Sequence, residues 1–348
     1  MDVQNKFNIL ITFHLKQKFI EQIEAVDPYL NVIYEPELFG KPRYENDQHG
    51  GPIQRTPEQE ARLLKLLSEA NIIFGYLSRP YISELEKYAP NLNWNQVPSA
   101  GIGQMIKRNN LFESKVLFTT ASGVHSTPLT EFCLMSMLMF VKGYFHMAEE
   151  KERKHWQRTC TTELHGKTLA VIGLGSVGKE VARLSQCLGM HVIGTKRTTD
   201  GVNLKRVNVE KLYPFTDLQP MLSQADFIVI ICPLTSETEG LIGEKEFAFM
   251  KKGAVLINIS RGRVVDEPSL IKALQSGHLA GLASDVFWKE PLPPDSPFWE
   301  MPNVIISPHS ASTADTENAK HTEIFTDNLR RYIDGKPLVN LLDKNLLY

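Results

Sequence analysis

The chain is short of several things at once, and each shortage removes a class of function. It has 4 cysteines in 348 residues, Cys133, Cys160, Cys187 and Cys232. None stands in a C-x-x-C spacing, which argues against a disulfide framework or a thiolate metal site; reduced packing residues are expected. Charge of either sign is not in excess: 38 Lys and Arg face 40 Asp and Glu, for a net charge of −2. Such a balance makes no long-range field toward nucleic acid or an acidic membrane, and no block of like charge forms a tail. Long apolar runs are missing, and the longest, near 132–141, is too short to span a bilayer. The N-terminal stretch lacks the basic region, apolar core and small-residue cleavage site of a signal peptide. No repeat or low-complexity segment is visible. These absences predict a cytoplasmic chain with no nucleic-acid, membrane or metal partner. Its length, 348 residues, exceeds one typical core and predicts two domains.

What is present is concentrated in the stretch 169–197, LAVIGLGSVGKEVARLSQCLGMHVIGTKR. A short apolar run reads as a buried parallel strand. Gly173, Gly175 and Gly178 follow in G-x-G-x-x-G spacing. A helix comes next, with Val181, Leu184, Ser185 and Leu188 on one face and Gly189 as its C-terminal stop, and a second strand begins at His191. The first glycine permits the tight turn, the second lets backbone approach a pyrophosphate, and the third lets the helix pack on the strand. The helix N-terminus offers N–H groups and a positive dipole end to phosphates. With strand, helix and second strand in place, this pattern predicts a dinucleotide site.

The end of the second strand bears on which dinucleotide. An acidic residue there normally accepts hydrogen bonds from the ribose of NAD. Here the residues are Thr195, Lys196, Arg197, Thr198 and Thr199, without a carboxylate. Lys196 and Arg197 would attract a 2′-phosphate and Thr198 could hydrogen-bond it, so NADP is the expected preference, with NAD as the alternative. The bland alternative is a pair of solvated surface cations.

Strand and helix patterns alternate along the rest of the chain, which indicates an α/β fold. Before the nucleotide unit, strands are expected at 7–13, 31–34, 71–76, 92–97 and 116–120, with helices at 16–25, 57–70 and 79–88. The segment 35–56 is rich in Pro, Gly and charge; Arg43, Tyr44 and His49 could reach a substrate, but a solvated loop is the expectation. Residues 128–148 read as one long helix, apolar nearly all round, which core packing and a subunit interface would explain together. After Arg197, strands are expected at 226–232, 254–260, 280–286 and 304–307. Helices are expected at 216–224, 244–250, 267–276 and 313–333.

Ligands of open parallel sheets sit beyond the carboxyl ends of strands. Three polar motifs fall at such ends: Ile259-Ser260-Arg261-Gly262, Asp285 through Pro291, and Ser307-Pro308-His309-Ser310-Ala311. Reducing a 2-oxo acid needs a fixed carboxylate, a proton for the carbonyl oxygen and a hydride at the carbon. Arg261 suits the carboxylate, because a guanidinium forks onto planar oxygen pairs. His309 suits proton transfer, since its charge changes near neutral pH, and Glu290 suits a partner that favours the protonated imidazole. Singly, each residue has an ordinary alternative: a carbonyl-binding Arg, a surface Glu, a loop His. A small-residue turn, Ser99, Ala100, Gly101 and Ile102, follows a strand; its N–H groups either form a nest for a carboxylate or merely close a tight turn.

These motifs, GLGSVG, CPLTSET, INISRGRVVDE, DVFWKEPLP and PNVIISPHSA, resemble those of the D-isomer-specific 2-hydroxyacid dehydrogenases, which include glyoxylate/hydroxypyruvate reductases. The resemblance implies that Arg261, Glu290 and His309 are the catalytic set. It implies that Ser176, Val177, Pro233, Thr238, Ile259, Ser260, Asp285 and Ser312 line the cofactor site. It gives the turn from Ser99 to Ile102 the substrate carboxylate, with Arg261 and His309 also touching substrate. The family fold implies two Rossmann-like doubly wound domains with parallel sheets and an active site in the interdomain cleft. The expected domains are 1–125 plus 314–348, and 126–313, with a homodimer formed around the helix near Pro128. Lys196 departs from the Asp of NAD-using members. The expected activity is reduction of a small 2-oxo acid to the D-2-hydroxy acid with NADPH preferred. Two rivals remain: a redox-sensing corepressor-like protein on the same fold, and formate oxidation, which is disfavoured because such relatives place Gln at the position of Glu290.

Overall fold

The structure is a computed structural model and describes residues 7–199 and 201–347. The chain divides into two units, Met1–Val124 with Thr313–Tyr348, and His125–Ser312. Each is built on its own parallel sheet.

In the first unit the strands are β1 (Phe7–Ile11), β2 (Leu30–Ile33), β3 (Ile72–Phe74), β4 (Trp94–Gln96) and β5 (Leu117–Thr119), in the order β2-β1-β3-β4-β5. Ile9, Leu10, Ile11, Ile72, Ile73 and Phe74 are fully buried, because helices cover both faces of the sheet. One face packs Leu63, Leu66 and Leu67 of helix Pro57–Glu69. That helix starts at a capping box in which the Thr56 hydroxyl accepts from the Gln59 N–H and the Gln59 side chain accepts from the Thr56 N–H, with Pro57 in its first turn. The other face packs helix Gln17–Glu24 and the C-terminal helix Glu317–Ile333. Phe325 of the latter stacks on Phe74 with ring centroids 4.2 Å apart. A buried polar chain fixes it further: Trp94 Nε1 donates to Thr119 Oγ1, Thr119 Oγ1 donates to Gln96 Oε1, and Asn328 Nδ2 donates to the same Gln96 oxygen.

The segment 35–56 differs from the solvated loop expected. Asn46, Asp47 and Gln48 are buried. Asp47 accepts from the Arg43 backbone and guanidinium and from the N–H groups of His49 and Gly50. Asn46 donates to the Ala314 carbonyl and Gln48 to Asn318 Oδ1. Burial opposes ionisation of Asp47, but the bonds from Arg43 and His49 outweigh it and hold its carboxyl well below the usual range. The anchors of Asn46 and Gln48 lie in the C-terminal part of the chain, where no local pattern in 35–56 could signal them.

The second unit contains β6 (Thr168–Ile172), β7 (His191–Thr195), β8 (Lys211–Tyr213), β9 (Phe227–Ile230), β10 (Ala254–Asn258), β11 (Leu279–Ser284) and β12 (Val304–Ile306). All pair in parallel, in the order β12-β11-β10-β9-β6-β7-β8. β9 and β10 are buried along their whole length, which accounts for their unbroken apolar runs. β6 lies between β9 and β7, where the strand order reverses, and the crevice beyond that point is where such sheets take ligands.

Several expectations need correction. The helix expected over 128–148 is two, Ser126–Val141 and Tyr144–Glu152, because Gly143 adopts φ 64° and turns the chain between them. Nor is the first buried on most sides within this chain: Thr130, Cys133, Ser136, Met137 and Val141 are buried, whereas Met135 and Leu138 are exposed. The buried face of helix Ser176–Cys187 is Gly178, Val181, Ala182 and Ser185, and Leu188 is exposed. Cys133 and Cys232 are packing residues, but Cys160 and Cys187 are exposed. The edge strand β8 and the short helix Leu204–Val207 lack a long apolar run and were not expected.

Candidate active site

The glycine loop follows β6. Gly173 has φ 108°, and a Cβ there would lie 2.8 Å from the backbone nitrogen of Cys232, which follows β9. A Cβ at Gly178 would lie 2.0 Å from the Gly173 carbonyl oxygen, so helix Ser176–Cys187 packs on β6 only with glycine at that place. Gly175 is different: a Cβ there would meet nothing within 4 Å. Gly175 and Ser176 are exposed and Val177 is half-buried. No side chain caps the helix start at Gly175. Open space in front of an uncapped helix N-terminus fits a pyrophosphate, so the residues present suit a dinucleotide.

The other residues assigned to the cofactor differ in exposure. Thr195 is fully buried at the end of β7, and its carbonyl accepts from the Gly173 N–H. Lys196 is half-buried; Arg197 and Thr198 are exposed. Pro233 is exposed, and its carbonyl accepts from the buried Thr238 hydroxyl at 2.6 Å. Ile259 and Ser260 are buried, the Ser260 hydroxyl donating to Asn258 Oδ1. Ser312 is half-buried. One neighbour was not foreseen. Arg197 lies 3.5 Å from a carboxylate oxygen of Glu237, in the segment after β9.

Arg261, Glu290 and His309 follow β10, β11 and β12, which are neighbours in the sheet. His309 Nδ1 is 2.7 Å from Glu290 Oε2, and Glu290 Oε1 accepts from the Phe287 N–H at 3.0 Å. Burial raises the cost of ionising Glu290. The bonds from His309 and Phe287, with the charges of His309 and Arg261, more than offset this and hold its pKa below the ordinary 4.5. Glu290 is therefore a carboxylate at neutral pH.

The loop that carries His309 is wound around one atom. Oδ1 of buried Asp285 accepts from the Ser307 hydroxyl at 2.6 Å and from the Ser310 and Ala311 N–H groups at 2.9 Å each. His309 itself has φ 54°, a left-handed conformation that a non-glycine residue adopts only when its surroundings impose it. Burial pushes the Asp285 carboxyl upward, opposed by the Ser307, Ala311 and Ser310 bonds and the charge of His309.

The Arg261 loop is fastened to the Glu290 loop. A Cβ at Gly262 would lie 2.1 Å from the Phe287 carbonyl carbon, so the two backbones touch there. Trp288 donates from its backbone N–H to Glu267 Oε2 and from Nε1 to the Val265 carbonyl. Arg261 is half-buried and donates to the Ser260 carbonyl at 2.7 Å. A guanidinium, a carboxylate and an imidazole are thereby set on loops that brace one another.

In the first unit, the turn from Ser99 to Ile102 follows β4. Ser99 accepts through its carbonyl from the Ala121 N–H, and Ser99 Oγ accepts from the Gly101 N–H at 3.3 Å. Ala100 and Gly101 are exposed and Ile102 is buried. Beside it, Tyr76 donates to the Pro98 carbonyl at 3.2 Å, and His49 stacks on Tyr76 with centroids 4.3 Å apart.

Residues 134–311 match the model of the D-isomer specific 2-hydroxyacid dehydrogenase NAD binding domain. The chain is 28% identical over 344 residues to a glyoxylate reductase of Aeropyrum pernix, covering 96% of each protein. It is 32% identical over 267 residues to glyoxylate/hydroxypyruvate reductase B of Pectobacterium carotovorum, covering 75% of this chain and 82% of the other. Among solved structures it is similar to a D-isomer specific 2-hydroxyacid dehydrogenase of Xanthobacter autotrophicus in complex with NADPH and MES. That match has a TM-score of 0.78 and 26% identity, and it covers 99% of this chain and 100% of the other.

Proposed function

The chain belongs to the D-isomer-specific 2-hydroxyacid dehydrogenase family, and from that premise we propose that it reduces a small 2-oxo acid to the D-2-hydroxy acid with NADPH preferred over NADH. It is an oxidoreductase that uses a nicotinamide cofactor and acts on a 2-oxo acid. The observation that carries the reduction is the 2.7 Å contact between His309 and an ionised Glu290, beside the Arg261 charge, and the NADPH preference rests on Lys196 and Arg197 after β7.

In this reading Gly173, Gly175, Ser176, Val177 and Gly178 hold the pyrophosphate. Thr195 serves through its backbone, and Lys196, Arg197 and Thr198 receive the 2′-phosphate. Pro233, Thr238, Ile259, Ser260, Asp285 and Ser312 line the remainder. A nicotinamide held by these residues would supply the hydride for the carbonyl carbon. Arg261 holds the substrate carboxylate and polarises the carbonyl, and the turn from Ser99 to Ile102 serves the carboxylate through its Ala100 and Ile102 N–H groups, since the Ser99 N–H donates to the Val97 carbonyl and the Gly101 N–H to Ser99 Oγ. His309 donates its proton to the carbonyl oxygen as charge develops there, and Glu290, 2.7 Å from His309 Nδ1, keeps the imidazole oriented. Asp285 holds the loop that carries His309.

The protein is read as a homodimer in a cytoplasmic setting. Support for the dimer is the run of exposed Met135, Leu138, Tyr144 and Met147 on the consecutive helices Ser126–Val141 and Tyr144–Glu152. Among the described residues no helix is long and apolar enough to cross a membrane.

The test is a panel of glyoxylate, hydroxypyruvate, pyruvate and longer 2-oxo acids, each assayed with NADPH and with NADH. Turnover with NADPH at a lower KM than NADH is expected. Nucleotide binding without turnover of any of them would replace the enzyme by a binding protein, and equal KM values would remove the NADPH preference.

A further inference from the structure

The Arg197–Glu237 pair lies where the dinucleotide reading puts the adenosine ribose. Arg197 follows β7 and Glu237 follows β9, while β6 and its glycine loop lie between those two strands in the sheet. A contact between Arg197 and Glu237 therefore spans the carboxyl end of β6, which the glycine loop follows. The pair is long and wet: 3.5 Å, with the side chains 49% and 58% exposed. Exposed pairs of this kind contribute little to stability, so this one is readily exchanged for a better partner.

The backbone beneath Glu237 is far better fixed than the pair. The Thr235 N–H donates to Thr238 Oγ1 at 2.8 Å, the Thr238 hydroxyl donates to the Pro233 carbonyl, and the Glu237 N–H donates to Thr235 Oγ1. Thr238 is buried. The turn thus holds a carboxylate at the crevice rim from the far side, while the residues from Thr195 to Thr199, which precede Asp200 in the sequence, include none.

From this arrangement we infer that Glu237 is a specificity-determining residue that sets how strongly the chain discriminates between phosphorylated and unphosphorylated dinucleotide. The inference rests on the reading of the β7 end as the site of the ribose 2′-position. With a 2′-phosphate present, the dianion takes Arg197 as a bidentate partner and displaces Glu237, whose charge then opposes the phosphate. With a bare 2′-hydroxyl, Glu237 keeps its contact with Arg197 and accepts a hydrogen bond from the ribose. That is the part normally taken by an acidic residue at the end of the second strand. Glu237 therefore weakens the hold on NADPH and strengthens the hold on NADH, which leaves this chain less selective than Lys196 and Arg197 alone would make it.

The experiment is calorimetric binding of adenosine 2′,5′-bisphosphate and of 5′-AMP to the full chain, its Arg197→Ala variant and its Glu237→Gln variant. Because both side chains are exposed, neither substitution disturbs the core. The parent is expected to prefer the bisphosphate and Arg197→Ala to lose that preference. Glu237→Gln is expected to enlarge it at least threefold, with the bisphosphate binding tighter and 5′-AMP weaker. If Arg197→Ala abolishes the preference while Glu237→Gln leaves the parental ratio, the role of Glu237 is overturned and the phosphate site stands. If Arg197→Ala leaves the ratio unchanged, the phosphate site falls, and this inference with it.

Discussion

Two rims of the same sheet are held in opposite ways. At the ends of β10, β11 and β12, the side chains proposed as catalytic sit on loops fastened by close contacts: Asp285 gathers the His309 loop, and Gly262 lies against the Phe287 backbone. At the ends of β7 and β9, exposed Arg197 and Glu237 are joined by a long ion pair. Under the proposed function the difference follows from what each rim has to do. Proton transfer requires a fixed geometry before the substrate arrives, and misplacement by about 1 Å can cost on the order of 100-fold. Choosing between two cofactors requires groups that can change partners.

The comparison can be broken from the rigid side first. Gly262→Ala puts a methyl where the Phe287 carbonyl carbon is 2.1 Å away, which parts the Arg261 and Glu290 loops. Its kcat/KM with a 2-oxo acid should fall about 100-fold, while the dissociation constant for NADPH moves far less. A variant with normal kcat/KM would show that the two loops need no bracing.

Glu290→Gln should lower activity on the order of tenfold, toward the lower end of what general acid catalysis contributes. The loss should fall on kcat rather than on the KM for NADPH, because Glu290, ionised through its lowered pKa, meets His309 Nδ1 at 2.7 Å and accepts from the Phe287 N–H. A kcat equal to that of the parent would separate Glu290 from proton transfer.

At the exchangeable rim, Arg197→Ala should raise the KM for NADPH about tenfold, as expected for one charge-assisted hydrogen bond. The KM for NADH should change little. Equal changes for the two cofactors would refute the phosphate assignment.

The smallest effect concerns stability. A carboxylate with a lowered folded pKa contributes stability that is complete above its unfolded pKa and is lost as pH falls through the folded one. For Glu290 this lies below about 4.5. Its side chain is 37% exposed, so screening limits the contribution to less than about 1 kcal/mol. Denaturant midpoints of parent and Glu290→Gln should therefore differ slightly at pH 7 and converge as the pH drops. A gap that widens toward acid would contradict the lowered pKa.

The readable parts of this molecule are those whose signal is local. The loop of Gly173, Gly175 and Gly178 and the apolar runs of β9 and β10 are contiguous patterns set by close packing and by burial on both faces. The motifs of Arg261, Glu290 and His309 each stand just past such a run. Gly143 was legible in principle, since a glycine near the end of a helical pattern is a stop signal, but the apolar residues around it masked the break. The Arg197–Glu237 contact joins residues 40 apart in sequence, and neither carries a mark of the other. The anchoring of Gln48 to Asn318 spans 270 residues and turns a stretch with loop composition into a buried polar anchor. Three-residue β8 lies at the sheet edge, where a strand needs no apolar run.

The central claim is that a prearranged His309 supplies the proton while the nucleotide site works independently of it. Replacing His309 with Ala and measuring two quantities on the same sample tests this directly: NADPH affinity by quenching of protein fluorescence, and single-turnover reduction of a 2-oxo acid. The account predicts an affinity within about threefold of the parent and a rate lower by roughly 100- to 10,000-fold. A reduction rate close to that of the parent would contradict it.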